Sequence, residues 1–201
     1  MGVERLRRWA TGLLAVPSLT LGLWTAQVQA QAQPRSETLA ACAACHGPGG
    51  NAADPMVPSL ASQPARFVEN QLVLIREGLR DIPVMAGVVK GLSDEEIIAL
   101  ARHYAAQPLR PTPGPAQPDK ARRGAELSRK ALCGTCHLPN YSGQMQVPRL
   151  ARQHESYLRF SMKQFRDHPG PGRDTIMAAS LYGLQDADLD DLAHYLARVK
   201  P

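Results

Sequence analysis

The chain has 201 residues, 44% of them hydrophobic and 20% charged, with a formal net charge of +5. That length allows one or two domains, and the composition is globular rather than disordered or fibrous. Only 5% of residues are aromatic, and no basic run is interleaved with aromatics, which excludes a nucleic-acid binder. Residues 1–30 hold three Arg and one Glu, so without them basic residues fall from 23 to 20 and acidic from 18 to 17, leaving +3.

The N-terminus reads as an export signal. Arg5, Arg7 and Arg8 precede an apolar stretch from Ala10 to Trp24, and Ala26 to Ala30 offers small residues for a peptidase. Cleavage after Ala30 is expected, with Ala32 as second choice. The rival is a retained anchor, but the apolar stretch falls short of the roughly 20 residues that span a bilayer. The rest of the chain is then periplasmic, with association to the outer face of the inner membrane left open.

A first helix is expected to start near Ser36, as its cap, and to lead into Cys42-Ala43-Ala44-Cys45-His46. The same pattern returns as Cys133-Gly134-Thr135-Cys136-His137, so the two copies use all four cysteines. C-x-x-C-H is the attachment pattern of c-type haem: two thiols add to the vinyl groups and the histidine becomes an iron ligand. An exported chain would otherwise form disulfides. A zinc site wants its two pairs about 15–20 residues apart, far closer than these. A thioredoxin-type site wants a strand-helix-strand setting, and no strand alternation is present. Two covalently bound haem c groups are expected, attached through Cys42 and Cys45 and through Cys133 and Cys136.

The elements that follow come in matched pairs. Pro64 opens an amphipathic run over 65–77 that Gly78 can end; 154–167 matches it, closed by Pro169-Gly170. Ser93 to Glu96 is a capping box before a helix reaching about Ala106; 186–198 matches, with Gln185 in the place of Ser93. Between the halves, Pro108 to Pro118 is too proline-dense for helix and reads as a semi-rigid linker, with Asp119 capping a helix over 120–132. His46 and His137 are 91 apart; Gln63 and Gln153, Phe67 and Tyr157, and Arg76 and Arg166 are 90 apart; Met85 and Met177 are 92 apart. Offsets this steady mean an internal duplication. The fold class is therefore all-α, with segments 1–30 (signal), 33–107 (first domain), 108–118 (linker) and 119–201 (second domain). Each half is small for a core, so haem is expected to complete it and apoprotein to be largely unfolded.

The sixth iron position decides function, since methionine there makes an electron carrier. Met85 follows His46 by 39 residues and Met177 follows His137 by 40. Met56 and Met145 lie too near their histidines to reach the opposite haem face, and Met162 matches Leu72 rather than a methionine. Met85 and Met177 are the expected ligands, against the alternative of core filler. His103 and His194 precede the paired Tyr104 and Tyr195 and read as surface or haem-edge packing; His154 and His168 lack partners in the repeat and read as solvated. Pro58 and Pro148, 12 and 11 residues past the histidines, offer carbonyls that can orient the imidazoles, or are plain loop prolines. Arg122, Arg123, Arg129 and Lys130 read as a solvated basic face rather than a steering patch.

With these motifs in place the chain resembles the dihaem class I cytochromes c of the cytochrome c4 family. The resemblance rests on Cys42 to Gly47, Pro58 to Gln63, Gln71-Leu72 with Arg76 to Gly78, Met85 before Gly91 to Asp94, Pro148 to Gln153, Gln164 to Arg166, and Met177 before Gly183-Leu184. It implies two tandem class I cytochrome c domains, each wrapped around one haem with His/Met ligation, and imidazole-to-proline carbonyl bonds. Leu138 departs from the pattern set by Gly47, and the linker is unusually rich in proline. The implied function is transfer of single electrons between a respiratory reductase and a terminal acceptor outside the cytoplasm, not catalysis. Partners would be a quinol–cytochrome c reductase, a haem–copper oxidase or a dehydrogenase. The alternatives are a cytochrome subunit of a larger complex, or a dihaem peroxidase-like enzyme.

Overall fold

The computed structural model describes residues 33–110 and 114–201; the expected export signal and residues 111–113 of the proline-rich segment lie outside them. Among the described residues the regular structure is helical, and strand-like pairing is limited to one isolated bridge between Gln144 and Val147. The first half contains α1 (Ser36–His46), α2 (Ala65–Arg76), α3 (Pro83–Val89) and α4 (Asp94–Ala105). The second contains α5 (Pro118–Lys130), α6 (Cys133–His137), α7 (Glu155–Asp167), α8 (Thr175–Leu181) and α9 (Asp186–Leu196). The all-α expectation holds, and α2, α3 and α4 recur as α7, α8 and α9.

Most boundaries follow local chemistry. Pro64 occupies the cap position of α2, and Gly78, at φ 68°, follows its end. At α4 the capping box is complete: Ser93 Oγ accepts from Glu96 N at 3.3 Å, and Ser93 N donates to Glu96 Oε2 at 3.0 Å. At α9 Gln185 N donates to Asp188 Oδ2 at 2.8 Å. Two expected caps are displaced. Ser36 and Asp119 lie inside their helices, and the extended residues Arg35 and Gln117 hold the cap positions without a side-chain bond. Pro118 is the first residue of α5 rather than the last of a spacer, a place where its missing N–H costs nothing.

The halves differ in how they enter the cysteine motif. α1 runs unbroken to His46, whereas α5 stops at Lys130 and Leu132 adopts a left-handed conformation, φ 55°, before α6 begins. Longer α5 also packs closely on α9: a Cβ at Gly124 would lie 2.1 Å from Asp191 O, so only glycine allows the two backbones to meet.

Each half has its own core. Ile75, Val89, Leu92, Ile97, Leu100 and Tyr104 form the first; Leu158, Met162, Leu181, Leu189, Leu192 and Leu196 build most of the second. Each such side chain stabilises by about 1.5–3 kcal/mol when fully buried. Met162 is core filler, while Met56 and Met145 are exposed.

The linker is held at both ends. Asn51 Nδ2 donates to Pro108 O at 3.0 Å and its Oδ1 accepts from Arg110 N at 2.9 Å. His194 Nε2 accepts from Gln117 N at 3.0 Å, and Arg198 Nη2 donates to Pro115 O at 3.0 Å. His194 is thus a buried anchor for the chain entering α5, not a surface residue, and its Nδ1 donates to Glu155 at 3.0 Å. Its repeat partner His103 stands edge-on to Tyr104, with ring centroids 5.2 Å apart.

Candidate haem sites

The loop after each cysteine motif turns sharply and folds back on itself. Gly47 has φ 73° and ψ 167°, and Leu138 matches it at φ 68° and ψ 156°. One helical turn later Gly50 and Tyr141 also have positive φ. The Gly50 carbonyl accepts from Leu60 N at 2.7 Å and Ala61 N at 3.0 Å; the Tyr141 carbonyl accepts from Leu150 N at 2.9 Å and Ala151 N at 3.1 Å. This clasp brings a proline carbonyl under each histidine.

His46 Nδ1 donates to Pro58 O at 2.8 Å, and His137 Nδ1 donates to Pro148 O at 2.8 Å. A carbonyl can only accept, so the proton sits on Nδ1 and the Nε2 lone pair is free for a metal. Both rings are buried, and burial, despite the opposing carbonyl bond, lowers each pKa and so favours the neutral form. The thiols of Cys42, Cys45, Cys133 and Cys136 are all free, the first of each pair partly buried and the second exposed. Burial raises the Cys42 pKa, with a Tyr104 hydrogen bond opposing.

Met85 and Met177 occupy the same place, the third residue of a seven-residue helix, and each packs partly buried against its own core. Pro83 starts α3, while Asp174 caps α8 by accepting from Met177 N at 2.8 Å. A repeated arginine fixes the turn that follows. Arg76 Nη1 donates to Leu92 O at 2.9 Å and Arg166 Nη1 to Leu184 O at 2.8 Å. Val84, Val88, Ile176 and Tyr182 leave exposed apolar surface on and beside these short helices. Free paired thiols, a neutral imidazole with an available Nε2, a partly buried thioether and apolar surface are a donor set that fits covalent haem with His/Met ligation.

The basic residues of α5 are largely paired, as a solvated face requires. Arg123 forms a two-bond pair with Asp191 at 2.6 and 2.9 Å, Lys130 meets Glu126 at 3.0 Å, and Arg122 meets Asp119 at 3.6 Å.

Between the two histidine loops lies a polar contact that sequence reasoning missed. Gln63 Nε2 donates to Arg149 O at 3.1 Å and its Oε1 accepts from Arg149 N at 2.9 Å. Gln153 Nε2 donates to Ser59 O at 2.9 Å and its Oε1 accepts from Ser59 N at 2.9 Å. Gln63 and Gln153, like Ser59 and Arg149, are 90 residues apart, so each half presents the same patch to the other. The equal offset was the available signal, but it carried no hint of the partner.

Arg149 itself is 1% exposed and reaches across to Ala61 O at 3.1 Å and Ser59 O at 3.4 Å, besides bonding Ala151 O. Its Nε has no partner among the described residues, and burial pushes the guanidinium pKa down to about 10. His154, expected to be solvated, is buried here: its Nε2 donates to Ala52 O at 3.0 Å in the other half.

Comparison with known proteins agrees with this geometry. A cytochrome c family model matches residues 121–200, and a model of cbb3-type cytochrome c oxidase subunit III matches residues 29–103. Cytochrome c4 of Azotobacter vinelandii is 31% identical, with 89% of this chain and 94% of the relative covered. A thiosulfate dehydrogenase electron acceptor of Thiomonas intermedia is 31% identical, covering 92% of this chain and 89% of the relative. The crystal structure of reduced recombinant cytochrome c4 from Pseudomonas stutzeri superposes with a TM-score of 0.75 at 28% identity, covering 84% of this chain and all of that one. With both C-x-x-C-H motifs seated in matching helical domains, the chain belongs to the cytochrome c4 family and is a dihaem electron carrier with two covalently bound haem c groups.

Proposed function

We propose that His46 with Met85, and His137 with Met177, are the axial ligands of the two irons, in two domains joined by the proline-rich linker that ends where Pro118 opens α5. Cys42, Cys45, Cys133 and Cys136 hold the haems covalently, and Pro58 and Pro148 orient the imidazoles. The carrying observation is the repeated His Nδ1 to proline carbonyl bond, 2.8 Å in each half, which leaves each Nε2 unprotonated. Bound haem supplies the one-electron ferric–ferrous couple. The protein holds the imidazole neutral, presents a soft thioether from a short helix pinned by Arg76 or Arg166, and shields both with apolar side chains.

With both sixth positions filled, the chain moves single electrons outside the cytoplasm, from a respiratory reductase such as a quinol–cytochrome c reductase to a haem–copper oxidase. A second donor is favoured by the Thiomonas relative, whose name makes it an electron acceptor of thiosulfate dehydrogenase. A dehydrogenase of that kind is then the reductant, and this chain contributes no catalytic group.

The test is the optical spectrum of ferric holoprotein. Methionine-ligated haem has a weak near-infrared band. Met85→His and Met177→His should each remove about half of it relative to wild type. An unchanged band in either variant rejects that ligand. High-spin ferric haem with rapid peroxide turnover in wild type would instead establish a peroxidase-like enzyme.

A further inference from the structure

The clasp between the halves grips the same peptide units that orient the histidines. His46 Nδ1–H donates to the carbonyl of the Pro58–Ser59 peptide at 2.8 Å, and the N–H of that peptide donates to Gln153 Oε1 at 2.9 Å. His137 Nδ1–H donates to the carbonyl of the Pro148–Arg149 peptide at 2.8 Å, and its N–H donates to Gln63 Oε1 at 2.9 Å. Each chain of hydrogen bonds therefore starts at a histidine in one half and ends on a glutamine of the other. Ser59, Gln63, Arg149 and Gln153 are all nearly inaccessible to water, at 6%, 4%, 1% and 2% exposure.

We propose that Gln153 tunes the haem of the first half and Gln63 the haem of the second, each acting as a positioning residue through the peptide it polarises. This rests on the reading of His46 and His137 as iron ligands. An amide whose N–H is engaged carries more negative charge on its oxygen, because the peptide is a resonance unit. Hydrogen bonds in series strengthen one another in this way, most where the dielectric is low. The proline oxygen then draws the Nδ1 proton further from the ring. The ring donates more strongly through Nε2 and favours ferric over ferrous iron. The glutamine lowers the potential of the haem in the domain it does not belong to.

The wiring is crossed but not identical. Gln153 Oε1 also accepts from His154 N at 3.0 Å, which divides its lone pairs between two donors. The buried Arg149 donates to Ser59 O in the first half, and Ser59, its repeat partner, has no guanidinium to return the contact. Unequal potentials follow from these differences even though ligands and proline bonds match.

The experiment compares Gln153→Met and Gln63→Met with wild type as dihaem holoproteins. Methionine fills a similar volume without the acceptor. Two readouts are taken: the midpoint potential of each haem, assigned by nuclear magnetic resonance of its methyl groups during redox titration, and the ring resonances of ¹⁵N-labelled histidine in the ferric state. Gln153→Met should raise the reduced-to-oxidised ratio of the first-half haem severalfold at fixed ambient potential and move the other much less; Gln63→Met should do the reverse. Should either variant fail to fold, Gln153→Leu and Gln63→Leu, smaller side chains that also lack the acceptor, should raise the same haem's potential more than the other's.

Equal movement of both haems, or movement of the haem in the glutamine's own half, overturns the crossed assignment. Strongly shifted His46 and His137 ring resonances with unmoved potentials would reject the tuning while leaving the ligands intact. Unshifted ring resonances in wild type would reject the ligand reading and the tuning with it.

Discussion

Leu138 holds the backbone conformation that Gly47 holds in the first half, φ 68° and ψ 156° against 73° and 167°. Glycine has that region almost to itself, and a residue with a Cβ placed there stores about 1–3 kcal/mol of strain. Leu138→Gly should stabilise the holoprotein by roughly 1 kcal/mol, the strain relieved less the backbone entropy that glycine adds to the unfolded chain. Gly47→Leu should be worse than a simple reversal, because its Cβ would lie 2.1 Å from Asn51 O. Guanidinium midpoints of the two variants against wild type check this; a lower midpoint for Leu138→Gly refutes the strain.

The crossing of α5 on α9 is set by the absence of a side chain at Gly124. An added Cβ would meet Asp191 O at 2.1 Å and Tyr195 Cβ at 2.7 Å, and neither can swing away as a side-chain tip can. Gly124→Ala should therefore separate the helices and cost about 1–3 kcal/mol, although alanine is the better helix former. Thermal unfolding followed by helical circular dichroism measures it. No loss at this site would mean that the helices can part freely.

An acid limb should trace to the start of α9. Lys163, at 2.5 Å, and Arg166, at 2.6 Å, hold the Asp186 carboxyl down to about 2, against an ordinary value of 3.8. A depressed carboxyl contributes fully above its ordinary value and loses that contribution as pH falls through about 2. Wild type should thus be more stable than Asp186→Asn at pH 6, by a modest margin because the group is exposed, and the gap should close toward pH 2. A gap that stays constant on acidification contradicts the assignment.

Much of the molecule was legible because its signals are local or repeated. The cysteine spacing, the capping box at Ser93 and the shared offset of Met85 and Met177 each depend on residues near one another or on the duplication. What escaped depends on contacts across the repeat. His154 has no histidine counterpart in the repeat and so reads as solvated, yet its acceptor, Ala52 O, lies 102 residues away in the other half. His194 looks like a twin of His103, but its Nε2 accepts from Gln117 N in the chain entering α5, a contact that the spacing of the two histidines does not announce. The break at Leu132 gives no warning either, since leucine is a poor marker for a left-handed residue. Arg149 reads as part of a loop motif, and only the packed halves reveal a cation sealed among carbonyls.

The glutamine clasp also has a consequence for assembly. Surfaces that pair with their own repeat at a two-fold relationship are those of a homodimer, here made within a single covalent chain. Its closure is a first-order event, insensitive to dilution, and the effective concentration set by the tether replaces the mass action that a pair of separate monohaem proteins would need. The patch is spent inside the molecule, with the carboxamides of Gln63 and Gln153 already satisfied, so a second copy meets no open donor or acceptor from them. Duplication has converted a concentration-dependent encounter into a contact within one molecule.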